Sequence, residues 1–280
     1  MKLWAVITGV ALLLPFRLEA ATCTVQPYDG TDYAVCEVDL NRDMLRLFLY
    51  EPDTERPYGY FGTLNAALEQ QGFALGFATN AGMYHDNRAP VGLYIEDGET
   101  AQTVISNAGP GNFGLLPNGV LCLRDRRADV IETLRYIEEA PDCVSATQSG
   151  PMLVIDGELH PRFLRSSTSR YIRNGVGTSD DGTKAVFVIS NSPVTFHTFG
   201  SFFRDHLGLR NALYFDGNVS RLRAPELGRN DIGFGALGPI IGVVEGQDLP
   251  ELPVIEDVPQ TENGDDDSGT LAPAADTLEE

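Results

Sequence analysis

The chain has 280 residues, 42% of them hydrophobic, which is enough to bury a sizeable core in one large domain or two small ones. Its formal net charge is −20, from 20 Lys and Arg against 40 Asp and Glu, and the basic residues form no cluster. This excludes the usual nucleic-acid binder, which neutralises phosphates with grouped Lys and Arg.

The N-terminus carries Lys2, an apolar run from Leu3 to Phe16, and then Arg17-Leu18-Glu19-Ala20-Ala21. The run is short for a bilayer span but suits a secretory signal over residues 1–20 with cleavage after Ala20. Arg17 and Glu19 so close to that point leave an uncleaved anchor as the alternative. After cleavage no stable membrane span is expected, and the product is periplasmic or secreted. Cys23, Cys36, Cys122 and Cys143 fit export, being even in number and lacking a C-x-x-C pair. Three connectivities are possible. Sequential pairing, Cys23 with Cys36 and Cys122 with Cys143, is expected because the first two flank a hairpin-like segment turning at Asp29-Gly30.

Short apolar runs separated by Gly, Pro and Asp-Gly turns predict strands at Ala34 to Leu40, Leu45 to Glu51, Phe73 to Thr79, Val91 to Glu96, Phe113 to Leu116, Val120 to Leu123, Pro151 to Ile155, Gly175 to Thr178, Ala185 to Ser190 and Ala212 to Phe215. Turns are signalled at Pro117-Asn118-Gly119 and Asp180-Asp181-Gly182. One helix is predicted from Leu64 to Gln71, with Thr63 as N-cap and Gly72 beyond its end. A second covers Phe196 to Leu207, where Phe196, Phe199, Phe203 and Leu207 recur at helical spacing and Gly208 stops it. Val130 to Glu139 fits helix or strand equally. From Gly246 to Glu280 there is no Lys or Arg, but eleven acidic residues and four prolines, including the run Asp265-Asp266-Asp267. That composition predicts a disordered acidic tail and leaves a net charge of −9 for residues 1–245. The fold class expected is α+β: a single mixed domain over residues 22–245, with strand-rich sheet layers and a few packed helices.

Four polar patches interrupt apolar strands: "TNAGMYHDNRAPVGLYIEDG" (79–98), "ATQSGPMLVIDG" (146–157), "SRYIRNGVG" (169–177) and "ALYFDGNVS" (212–220). Each sets uncharged hydrogen-bonding groups or Arg beside glycines at a strand end, where a rigid sheet can present a site. Each also has a plain structural reading, in which Asn80 and Gln148 satisfy backbone groups, Arg173 pairs with a carboxylate and Asp216 caps a turn. Ser149 with His197 and Asp216 has the residue types of a nucleophilic triad, but no nucleophile elbow surrounds it. His85 and His197 are too few and too separated for a metal site, and zinc and phosphate-loop motifs are absent.

In this order the patches resemble the phosphodiester glycosidase family, in its bacterial exported branch: "NAGMY" with "PVGLYIEDG", then "QSGPMLV-DG", Arg173 followed by "NGVG", and "LGLRNALYFDGNVS". The resemblance spans about residues 79–243. It departs at Asn218, where the family commonly has a second Gly after Asp-Gly. It implies a hydrolase cleaving the bond between the anomeric carbon and the phosphate oxygen of a sugar 1-phosphodiester. Asp216 would then be the reacting carboxylate, and Arg173, with His85 or His197, would serve the phosphate. Asn80, Gly82, Tyr84, Gln148, Ser149, Gly217, Asn218 and Ser220 would bind substrate. Asp86 and Glu96 are carboxylates without an assigned role. No cofactor is implied, and metal dependence stays open. A saccharide-binding envelope protein that has lost turnover on the same scaffold is the alternative, motivated by Asn218.

Overall fold

A computed structural model of the chain describes residues 21–217 and 219–246. The leader expected at 1–20, Asn218 and residues 247–280 of the acidic tail lie outside the described residues. Gly246, the first residue assigned to the tail, instead closes the last strand.

The first strands form a hairpin, β1 (Thr22–Tyr28) and β2 (Thr31–Asp39), which turns at Asp29 and Gly30. Cys23 faces Cys36 across this ladder and is bonded to it, and Cys122 is bonded to Cys143, the sequential pairing expected. After β3 (Met44–Phe48), α1 runs over Phe61–Glu69, three residues ahead of the predicted start. Tyr60 occupies the N-cap without a side-chain cap bond. Burial of Phe61, Leu64 and Leu68 at helical spacing sets the helix, prevailing over the cap chemistry offered by Thr63.

β4 (Phe73–Asn80) follows, and then β5 (Tyr94–Glu96), which is shorter than predicted because the Leu93 amide donates to the Gln148 side chain. After β6 (Glu99–Gln102), the predicted strand Phe113 to Leu116 is a loop, since the Phe113 carbonyl accepts from Asn118 Nδ2 rather than from a neighbouring strand. β7 (Gly119–Arg124) pairs with β8 (Arg127–Glu132). The ambiguous stretch from Val130 is both strand and helix. It leaves β8 at Glu132, whose carboxylate accepts from the amides of Leu134 and Arg135 and caps α2 (Thr133–Glu139).

Next come β9 (Ser145–Ser149), β10 (Met152–Ile155), β11 (Glu158–Leu159), and the hairpin of β12 (Asn174–Thr178) and β13 (Lys184–Ser190). The second predicted helix divides: α3 covers Phe196–Ser201, capped by Thr195, and a π-helical turn covers Phe202–His206. This lets the adjacent Phe202 and Phe203 both bury. The chain ends with β14 (Asn211–Asp216), β15 (Leu222–Ala224), β16 (Arg229–Asn230) and β17 (Ile240–Gly246).

These strands make three antiparallel sheets, ordered β1-β2-β13-β12-β14-β10-β11, β16-β15-β4-β17-β3 and β6-β5-β9-β7-β8. Strand alternation explains how they stack. In β14, Leu213 and Phe215 face a central core shared by all three sheets, while Ala212 and Tyr214 face outward onto Phe199, Phe202 and Phe203. The outer side of the second sheet is covered by Phe61, Leu64 and Leu68 of α1, and that of the third packs Tyr136 of α2. The result is the expected mixed α+β domain.

Two predictions concern stability. The Cys122–Cys143 bridge closes a loop with a sequence separation of 21. The Cys122→Ala/Cys143→Ala double variant should therefore lose roughly 3 kcal/mol in chemical denaturation; an unchanged midpoint would show the bridge dispensable. The second concerns Glu96, whose carboxylate accepts from the buried Tyr94 hydroxyl at 2.7 Å. Burial pushes Glu96 up to about 7 from an ordinary value of 4.5. The folded chain thus holds this proton longer than the unfolded chain does. The resulting stability is complete below pH 4.5 and is lost as pH rises through 7. Thermal melts should show wild type losing more between those values than Glu96→Gln, and parallel curves would refute the assignment.

Candidate functional site

Where the three sheets meet, polar residues stand at the strand ends. Asn174, which opens β12, is the hub. Its Nδ2 donates to Asn80 Oδ1 at 2.7 Å and to Thr79 Oγ1 at 3.1 Å, tying the first sheet to the end of β4. Its Oδ1 accepts from the Asp216 amide at 3.0 Å, and Asn80 Oδ1 accepts from the Arg221 amide at 3.1 Å. The third sheet joins through Ser149, whose hydroxyl donates to the Phe215 carbonyl, and Thr147, whose hydroxyl donates to the Ala81 carbonyl.

This lattice fixes Asp216. Pairing with β12 shifts register between Asn174 and Gly175, so β14 carries one extra residue just before the aspartate. Such a bulge re-aims the side chain that follows it. Oδ1 of Asp216 accepts from the Gly217 amide at 2.6 Å, and Ser220 closes the turn by donating to the Asp216 carbonyl at 3.0 Å. Gly217 is required for space: a Cβ there would collide with the Tyr214 hydroxyl.

Asp216 lines a pocket of about 640 Å³, together with Tyr84, His85, Asp86, Arg88 and Arg221. Arg88 lies over the Tyr84 ring, 5.4 Å from its centroid, and the Tyr84 hydroxyl donates to the Ala236 carbonyl. Burial raises the Tyr84 pKa, the charge of Asp216 raises it further, and Arg88 and Arg221 oppose the shift, so all three charges act on one phenol. Among the described residues neither arginine takes part in an ion pair. One wall, at Pro110 to Phe113, belongs to the loop that follows Ile105.

Several residues singled out from sequence sit elsewhere. Gln148 is buried with its carboxamide fully engaged, accepting from the Leu93 and Ile105 amides and donating to the Ile105 carbonyl and Thr133 Oγ1. It anchors the loop that supplies the pocket wall and has no polar atom left for a sugar. Ser149 is also buried, its hydroxyl committed to Phe215. Gly82, at positive φ, packs against Thr147. His197 lies on α3, at the outer face of the first sheet among Arg165, Arg204, Asp205 and Asp29, so no triad forms with Ser149 and Asp216.

Arg173 is 1% exposed and absent from the pocket lining. Its guanidinium stacks 3.6 Å from the centroid of Phe196 and donates to the carbonyls of Val194 and Ser169 and to the Tyr214 hydroxyl. Direct contact with a phosphate does not fit that burial. Arg88, Arg221 and Asn174 are what the sequence reading missed. Arg88 and Asn174 lie inside quoted patches, and Arg221 is the residue after the last one.

The profile of the phosphodiester glycosidase family matches residues 74–232. The uncharacterized Escherichia coli (strain K12) protein YigE is 33% identical over 189 residues, covering 64% of this chain and 73% of that protein. Among solved structures, the catalytic domain of zebrafish N-acetylglucosamine-1-phosphodiester alpha-N-acetylglucosaminidase, auto-inhibited by its pro-peptide, superposes with a TM-score of 0.53 at 12% identity, over 80% of this chain and 81% of that one. A hypothetical protein from Synechocystis gives the same TM-score at 13% identity, over 80% of this chain and 62% of that one. At these identities the superpositions establish a shared fold. With more than half its length matched by the family profile and Asp216 and Asn80 inside the matched span, the chain belongs to the phosphodiester glycosidase family.

Proposed function

We propose that the protein hydrolyses a glycosyl phosphodiester, breaking the bond between the anomeric carbon and the phosphate oxygen. The observation that carries this reading is the meeting of the strand-end carboxylate of Asp216 with two arginines, Arg88 and Arg221, on a single pocket in a chain of this family. The departing group is a phosphate monoester, an acid that leaves with the bonding electron pair and needs little protonation. Catalysis then needs negative charge at the developing oxocarbenium centre and cationic donors at the phosphate.

Asp216 suits the first task because its backbone is fixed by Asn174 and by the bulge. Arg88 and Arg221 suit the second, taking the place expected for Arg173. Arg173 instead holds Tyr214, whose hydroxyl supports Gly217 beside the reacting carboxylate. The oxygen of water bonds to the anomeric carbon, and its proton passes to a carboxylate or to solvent. Asp86 and His85 line the same pocket, and we assign them as candidate acceptors of that proton.

We take the mature protein to be exported, with the leader and acidic tail outside residues 22–245. Two disulfides fit an oxidising compartment, and among the described residues no helix is long and apolar enough to cross a membrane.

Purified protein should release sugar from at least one member of a panel of sugar 1-phosphodiesters. Asp216→Asn should slow release at least about 10³-fold with an unchanged melting temperature. Full activity in that variant removes Asp216 from the reaction, while glycan binding without any product favours the non-catalytic alternative. Arg88→Met and Arg221→Met should each lower kcat/KM by roughly 10- to 100-fold and weaken inhibition by inorganic phosphate, whereas His197→Gln should leave both unchanged. Loss of activity in His197→Gln with both arginine variants intact would reverse the assignment of the phosphate subsite.

A further inference from the structure

The segment joining β16 to β17 reads Asp231-Ile232-Gly233-Phe234-Gly235-Ala236-Leu237. It is pinned at both ends: Asp231 exchanges hydrogen bonds with the Leu222 backbone, and the buried Leu237 donates its amide to the Gly59 carbonyl. Between these anchors the residues alternate. A Cβ on Gly233 would collide with the Arg221 guanidinium, and one on Gly235 would lie 4.0 Å from Arg88 Nη2, so the glycine backbone rests beside both pocket arginines. Two of the residues between the glycines and anchors are large and apolar and face solvent: Ile232 is 87% exposed and Phe234 112%. Nothing in the packing of the fold requires an isoleucine and a phenylalanine there.

We infer that the alcohol on the far side of the substrate's phosphodiester is a long-chain lipid, whose hydrocarbon lies along Ile232 and Phe234 while its phosphate meets Arg88 and Arg221. This deepens the proposed function and rests on it. The order matches such an amphiphile, with the anion at the guanidinium pair and the apolar chain leaving the pocket past Gly235 onto the outer side of the strap, where Ile232 and Phe234 stand outside the pocket lining. A chain with a net charge of −20 is not drawn to anionic surfaces by its overall field, which favours recognition of the hydrocarbon attached to the substrate over electrostatic adsorption to a bilayer. Each methylene buried on the strap adds affinity that a short ester cannot supply.

The test is calorimetric titration of the full chain with ethyl phosphate and with decyl phosphate below its micellar concentration, both of them analogues of the released monoester. Decyl phosphate should bind at least 30-fold tighter. In Ile232→Ser/Phe234→Ser that advantage should fall below about 3-fold with ethyl phosphate unaffected, while Leu164→Ser, which removes an exposed leucine outside the pocket, should change neither. Arg221→Met should weaken both esters. Equal binding of the two esters by wild type, or an advantage that survives in the double variant, overturns the lipid inference and leaves the phosphodiester reading standing. Failure of both esters to bind, or binding indifferent to Arg221→Met, overturns the two together.

Discussion

A single buried carboxamide joins the parts of this protein that matter. Asn174 faces Asn80 and Thr79 on one side and the Asp216 amide on the other, so the end of one sheet, the start of a second and the backbone of the pocket carboxylate share one side chain. In a dry interior each of these bonds is costly to lose, because the abandoned partner has no water to replace it, on the order of 1–3 kcal/mol per group. The network therefore serves as a joint that holds three separately built sheets in one register. The position of Asp216 is a consequence of that joint.

Around it the chemistry is layered. Polar strand ends that look like ligand-binding groups do the holding: Gln148 grips the loop carrying the pocket wall, Ser149 and Thr147 bind the third sheet to the others, and Arg173 is spent on Phe196, Val194 and Tyr214. The groups facing the pocket come from less regular segments, with Tyr84, Asp86 and Arg88 in the loop after β4 and Arg221 beyond the turn after β14. A rigid frame thus carries most of the pocket-lining side chains on short loops whose ends are fixed, with Asp216 at the end of β14. The Ile232 to Gly235 strap follows the same plan, being anchored at both ends and apolar only where it faces outward.

Much of the frame was legible in the sequence. Alternating runs located β2, β4, β13 and β14, and the Cys23 and Cys36 pairing followed from one hairpin. β9 escaped because Ser145 to Ser149 is polar yet wholly buried, satisfied by partners distant in sequence that hydropathy cannot register. Of the residues named from motif order, Tyr84, His85 and Asp216 line the pocket, and Asn80 stands behind it in the buried network. Motif membership alone could not separate the buried guanidinium of Arg173 from those of Arg88 and Arg221, which line the pocket and to which we assign the phosphate instead. The reason is physical: Arg88 sits at positive φ within a tight turn, and Arg221 lies just past the turn that follows β14, and the exposure of either depends on contacts across the fold.

The most direct test of this account is a crystal structure of Asp216→Asn soaked with a sugar 1-phosphodiester that the wild-type protein cleaves. In that crystal the anomeric carbon should lie within about 3.5 Å of the residue 216 side chain, with the phosphate oxygens on Arg88 and Arg221. A phosphate seated away from both arginines, or an anomeric carbon far from position 216, would contradict it.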